Sequence, residues 1–133
     1  MSASQDFESL CAVPPPPALV KAVDEFNAGQ YFECHDTLEA WWLSDKSSVR
    51  DLYKGIIQIA GGLYHFGNGN ARGCSKLLAK GANYIEPFGP RCQGIDVAGL
   101  VAMARAALDW CATAAPGASL PDHLVPRIVW AAD

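Results

Sequence analysis

The chain's 133 residues fit one domain able to bury its own core, and with half of them hydrophobic and 18% charged they leave little room for an extended disordered region. A formal charge of −4, a pI near 5.2 and the lack of a Lys or Arg cluster argue against a nucleic-acid partner. No apolar run reaches the length of about 18 residues that a membrane helix needs, and the amino terminus lacks the basic and apolar parts of a signal peptide.

The pattern of apolar residues predicts an all-α fold: an antiparallel helical bundle of about five helices, built from helix-turn-helix hairpins, forming a single helical domain over residues 1–133. Residues 1–16 are an irregular, Pro-rich lead-in, with Pro14 to Pro17 stiffening the approach to a first helix over residues 18–28. Leu19, Val20, Val23 and Phe26 recur there at helical spacing, and Gly29 stops it. A second helix runs over residues 30–43, and the short turn 44–48 makes it antiparallel to a third over residues 49–66. The third carries a clean apolar stripe, Val49, Leu52, Tyr53, Ile56, Ile59, Ala60 and Leu63, opposite Lys54, Gln58, Gly61 and His65. Glycine inside a helix costs about 1 kcal/mol relative to alanine, so Gly55, Gly61 and Gly62 imply close approach by another backbone or a ligand.

Gly67 to Asn70 end that helix and let Asn70 cap a fourth, which runs to about Glu86 before Pro87 to Pro90 break it. After a loop through residues 91–94, Asp96 caps a fifth helix over 97–114, and residues 116–133 form an irregular C-terminal strap. A faint repeat with a period of 40 aligns Phe26, Gly29, Cys34 and Leu38 with Phe66, Gly69, Cys74 and Leu78. Both copies read as helix, glycine turn, helix. The five cysteines, Cys11, Cys34, Cys74, Cys92 and Cys111, are odd in number, scattered and without a CxxC pair, so they read as reduced thiols and go with a cytoplasmic address.

The second helix carries the candidate chemistry. At about 100° per residue His35 projects between Tyr31, Leu38 and Trp42, with Glu39 one turn on beside Phe32, while Glu33 and Asp36 point away. A His and a Glu turned towards a core need partners, so they mark either a ligand site or a polar network that braces the fold. Spaced i and i+4, His35 and Glu39 suit a divalent cation, or a carboxylate that orients an imidazole acting as general base. Zinc requires a third protein ligand, for which Gln58, His65 and Cys34 are the candidates. In a hairpin folded near Lys46, His35 is level with Ile57 and Gln58, whereas His65 is level with Ala28, on the order of 10 Å further along. Glu39 is level with Lys54 and within pairing reach. A histidine in a last helical turn also complements the helix dipole, which gives His65 a structural alternative. Trp41 and Trp42 suit core and subunit contacts, and Cys34, about 100° from His35 on the helix, makes a poor catalytic pair with it. Nucleophile elbow, phosphate-binding loop and HExxH motifs are absent.

Three ordered blocks carry a family resemblance: residues 26–42, including Gly29, Tyr31, Phe32, Glu33, His35, Leu38, Glu39 and Trp41; then Gly55 to Ala60 with Leu63, Tyr64 and His65; then Gly69 to Cys74 with Leu77 and Leu78. Over about residues 23–84 the chain resembles the small all-helical family catalogued as domain of unknown function 309. It departs at Asp36, where Glu is usual, and at Cys74, where Ala is usual. The resemblance implies a helical bundle and places His35, Glu39, Gln58 and His65 in one constellation, without supplying a function. Two expectations emerge. One is a polar pocket between the second and third helices, built on His35, Glu39 and Gln58 with Tyr31, Trp42 and His65 around it, that binds a divalent metal ion or a small polar ligand. The other is a hairpin module whose apolar surface recruits a protein or a second copy, as a homodimer, while the same residues brace the fold.

Overall fold

Proline at a first helical position suits a terminus that needs no donor there, and Pro17 opens α1 (Pro17–Asn27) in the computed structural model, which describes residues 8–131. α2 (Tyr31–Ser44), α3 (Arg50–Gly67), α4 (Ala71–Ile85) and α5 (Val97–Thr113) follow. Each of these five lies within about one residue of its predicted span, and the all-α class is borne out. Asn70 and Asp96 cap α4 and α5 as expected, their side-chain oxygens accepting from the Gly73 and Gly99 amides at 2.9 Å. The predicted stripe of α3, from Val49 to Leu63, is buried throughout and forms the centre of the core.

α3 is flanked by α2 on one side and α4 on the other, α1 covers α2, and α5 covers α4. Glycines set the tightest of these crossings. A Cβ on Gly55 would overlap Ile85 Cγ2 and stand 2.9 Å from the Gly81 carbonyl oxygen, and one on Gly81 would stand 2.7 Å from the Gly55 carbonyl oxygen. Gly62 is comparably close, 3.1 Å from the Cys74 carbonyl oxygen. The expected approach of a second backbone is therefore met at Gly55 and Gly62, while at Gly61 the neighbours are side chains, Leu77 and His35.

Three features differ from the sequence reading. The lead-in contains a helical turn over residues 8–11, and the loop after α4 contains a two-stranded hairpin, β1 (Arg91–Cys92) and β2 (Ile95–Asp96), paired Cys92 to Ile95. Its two-residue turn has Gln93 and Gly94 both at positive φ, 49° and 83°, the geometry that matches strand twist in tight hairpins. The third difference is a disulfide between Cys11 and Cys92, so the expectation of free thiols holds only for Cys34, Cys74 and Cys111, all buried. Cysteine usage thus carries no argument about compartment. Pairing across 81 residues is invisible in scattered, odd-numbered cysteines.

Gln93 ties the bridge to the bundle: it is buried, its Oε1 accepts from the Tyr53 hydroxyl at 2.7 Å and its backbone N–H donates to the Cys11 carbonyl at 2.7 Å. The C-terminal strap joins the same hairpin through a bridge between Ile95 and Trp130. No helix among the described residues is long and apolar enough to cross a membrane.

Candidate functional site

A helix packed between two others buries the axis of its greasiest residues, and on α2 that axis runs through Cys34 and Leu38, both fully buried. His35 lies about 100° round from Cys34 and comes out at the rim, its side chain 37% exposed, with Glu39 half exposed beyond it. The expected core-facing pair is therefore a rim pair. The i, i+4, i+7 series Cys34, Leu38, Trp41 is the signal that locates the buried axis.

The hairpin of α2 and α3 folds later than predicted. Gly61 faces the His35 ring, Phe32 and Tyr64 rings stand 5.6 Å apart, and Lys54 Nζ lies 4.5 Å from the Trp42 ring centroid. Each of these pairs is centred on residue 48 rather than on Lys46, because Asp45 builds a turn by accepting from the Ser47 amide and hydroxyl at 2.9 and 3.1 Å. Arg50 then closes the corner, donating to the carbonyls of Asp45 and Trp42 at 2.9 and 3.0 Å. The shift carries His35 opposite Gly61 and brings His65 within about one helical turn of it along the axis, nearer than predicted.

Four of the predicted site residues then line one cleft of about 280 Å³: Tyr31 and His35 from α2, Gln58 and His65 from α3. Phe32, Ile57, Gly61, Tyr64 and Leu77 complete walls that are largely apolar. Trp42 is not among the lining residues. Its ring carries the Arg50 guanidinium at 4.2 Å and the Lys54 ammonium at 4.5 Å, so Lys54 stands over Trp42 while Glu39 reaches His35. Glu39 also stays outside the lining, acting through His35: its Oε2 is 3.6 Å from His35 Nδ1. Asp36, read from the sequence as turned away, brings its Oδ1 to the same 3.6 Å. These are ion-pair distances beyond hydrogen-bond length. Both contacts fall on Nδ1, the ring nitrogen nearer the acidic side chains.

Gln58 adds an unmet polar group, since its Oε1 is buried and accepts no hydrogen bond. Burial raises the Tyr31 phenol above its usual pKa, against the pull of Arg127, so Tyr31 remains a hydroxyl donor at neutral pH. Burial also pushes the Cys34 thiol up to about 12, with Glu25 adding to the effect. Cys34 is thus no nucleophile for His35, as its position on the helix implied. Among the described residues no group of three or more His, Cys, Asp and Glu is gathered where it could hold a metal ion. Phe32, Tyr64 and Leu77 were not anticipated as lining residues; Phe32 sits at i−3 from His35, a spacing that would have found it.

With this geometry in view, two likenesses take on meaning. The family model described as Domain of unknown function (DUF309) matches residues 19–77, which contain every lining residue of the cleft. The Bacillus subtilis (strain 168) protein named uncharacterized protein YpuF is 37% identical over 73 residues, a match covering 53% of this chain and 42% of that protein. The chain therefore spans less than half the length of that relative.

Proposed function

Starting from residues 19–77 as a segment that resembles DUF309, we propose that the protein binds a small molecule in the cleft over α3, its apolar body against Tyr31, Phe32, Ile57 and Leu77 and its polar end at Gln58 and the two imidazoles. The observation that carries this reading is Gln58 Oε1, buried and without a donor in the wall of a largely apolar cleft. The terminal torsion of a glutamine is broad and turns at little cost, so a ligand that donates a hydrogen bond completes it. With no group of His, Cys, Asp and Glu among the described residues arranged to hold a metal ion, the largely apolar walls favour an organic ligand over a cation held by the protein alone.

The test is a fragment screen read by amide chemical shifts, with Gly61→Leu as the blocking variant, since a side chain at Gly61 grows towards Leu77 and His35. Fragments are expected to shift Gln58 and Gly61 and to raise the melting temperature of the parent but not of Gly61→Leu. Hits that act equally on both proteins would end the proposal. If instead no fragment binds and the protein sediments as a dimer that Phe32→Ser dissociates, the exposed Phe32 and Tyr64 ring pair is a self-association surface.

A further inference from the structure

The two helices that flank the cleft carry opposite charge beyond its largely apolar lining. On α2, passing round the helix from the buried Cys34 and Leu38, one meets Tyr31 and His35, then Glu39 and Asp36, and α2 holds no Lys or Arg. On α4, passing from the buried Cys74, Leu78 and Gly81, one meets Leu77 at the cleft, then Lys80, Lys76 and Arg72, and α4 holds no Asp or Glu. These three cations are spaced four apart, so they are no cluster in the sequence yet form one stripe on the folded helix. All three are exposed, and none has an ion-pair partner among the described residues.

Helix register brings the two lips level. Gly61 faces both His35 and Leu77, and the neighbours of Gly55 and Gly81 show α3 and α4 running antiparallel about Gly69. One turn back from Gly61, Gln58 therefore has Glu39 beside it on α2 and Lys80 beside it on α4. Across the floor of Gly61 and Gln58, an acidic lip faces a basic one, with aromatic and aliphatic wall between.

Resting on the cleft reading, we propose that the ligand is a linear zwitterion, an ammonium and a carboxylate separated by an apolar body, as in an ω-amino acid or the two ends of a dipeptide. Its ammonium lies at Asp36 and Glu39 and donates to Gln58 Oε1, its carboxylate lies at Lys80 and Lys76, and its apolar middle on Ile57 and Leu77. Opposite lips also fix its direction, since the reversed ligand meets like charge at both ends.

The probes are 6-aminohexanoate, hexylamine, hexanoate and uncharged hexanol, titrated against the amide shifts of Gln58 and Gly61 at low salt. 6-Aminohexanoate is expected to bind about tenfold tighter than either singly charged probe. Lys80→Gln should reduce it to the level of hexylamine, and the Asp36→Asn, Glu39→Gln pair to that of hexanoate. These side chains are exposed, so the variants retain the parent fold. Hexylamine or hexanol matching 6-aminohexanoate would overturn the zwitterion while leaving the cleft as a binding site. No shift from any of the four probes would remove the cleft reading as well, and so distinguishes the two failures.

Discussion

The two hairpins, α1 with α2 and α3 with α4, turn alike and cross differently. In both, a glycine at positive φ, 78° at Gly29 and 83° at Gly69, lets the next amide reach back five residues, Gln30 to the Glu25 carbonyl and Asn70 to the His65 carbonyl, each at 2.8 Å. Both then bury a Cys and a Leu, Cys34 with Leu38 and Cys74 with Leu78, so the period of 40 residues is a repeat of structure. The crossings diverge where the repeat does: Ala22 and Trp41 stand 40 residues before Gly62 and Gly81. In the second hairpin backbone is met at both positions, Gly62 at the Cys74 carbonyl and Gly81 at the Gly55 carbonyl, where the first hairpin carries side chains. The turn is thus a portable unit, while crossing distance is set by a few glycines. α4 lies close on α3, and α2 is held away from it by Trp41 packed edge-on to Tyr53 at 6.2 Å. The cleft follows from that inequality.

The strongest way to test the equivalence is Leu38→Ala against Leu78→Ala, both at fully buried positions. Each should cost about 2–5 kcal/mol in urea unfolding, and near-neutrality of one alone would make its hairpin peripheral. Gly81→Ala attacks the difference. Its new methyl would stand 2.5 Å from Ile59 Cγ1 and 2.7 Å from the Gly55 carbonyl oxygen, for a loss of about 1–3 kcal/mol despite better helix propensity; a gain in stability would mean that α4 is free to move outwards. At the shared turn, Gly29→Ala and Gly69→Ala each meet open space and should differ from the parent by about 1–2 kcal/mol, from backbone conformation alone.

The buried thiols give a pH signature common to both hairpins. Burial pushes Cys34 and Cys74 up to about 12, from 9.0 for a free thiol. A raised folded pKa means that the stabilisation is fully present below about pH 9 and is lost as pH rises from there towards 12, because only the unfolded chain ionises readily. At pH 10 the loss should be about 1 kcal/mol per thiol. Cys34→Ala and Cys74→Ala should each flatten the alkaline limb of the stability profile, measured between pH 8 and 11, and an unchanged limb in either would show that its thiol is reachable by water.

Most of the helical frame was legible because its signals are local: the stripe of α3, the caps at Asn70 and Asp96, and the glycine stops each act within a few residues. The site was legible in membership more than in geometry. Tyr31, His35, Gln58 and His65 do meet at one cleft, but their levels depended on where the chain turned between α2 and α3, and the Asp45 side chain decided that. The depth of His35 depended on which of two adjacent arcs α2 buries. Phe32, Leu38 and the tryptophans make both arcs apolar, and only the neighbouring helices choose between them. β1 and β2 are two residues each, too short for alternation to show.

Asn27 closes a long loop with one side chain: its Nδ2 donates to the Ile128 carbonyl and its Oδ1 accepts from the Ile128 amide, both at 2.9 Å and across 101 residues. An amide in an irregular strap would ordinarily exchange its proton with solvent quickly. That of Ile128 is held as a strand partner would hold it, by a residue of the last turn of α1. Its exchange is therefore gated by the end of a helix a hundred residues away in sequence, which makes this one proton a reporter of how often α1 lets go of the strap.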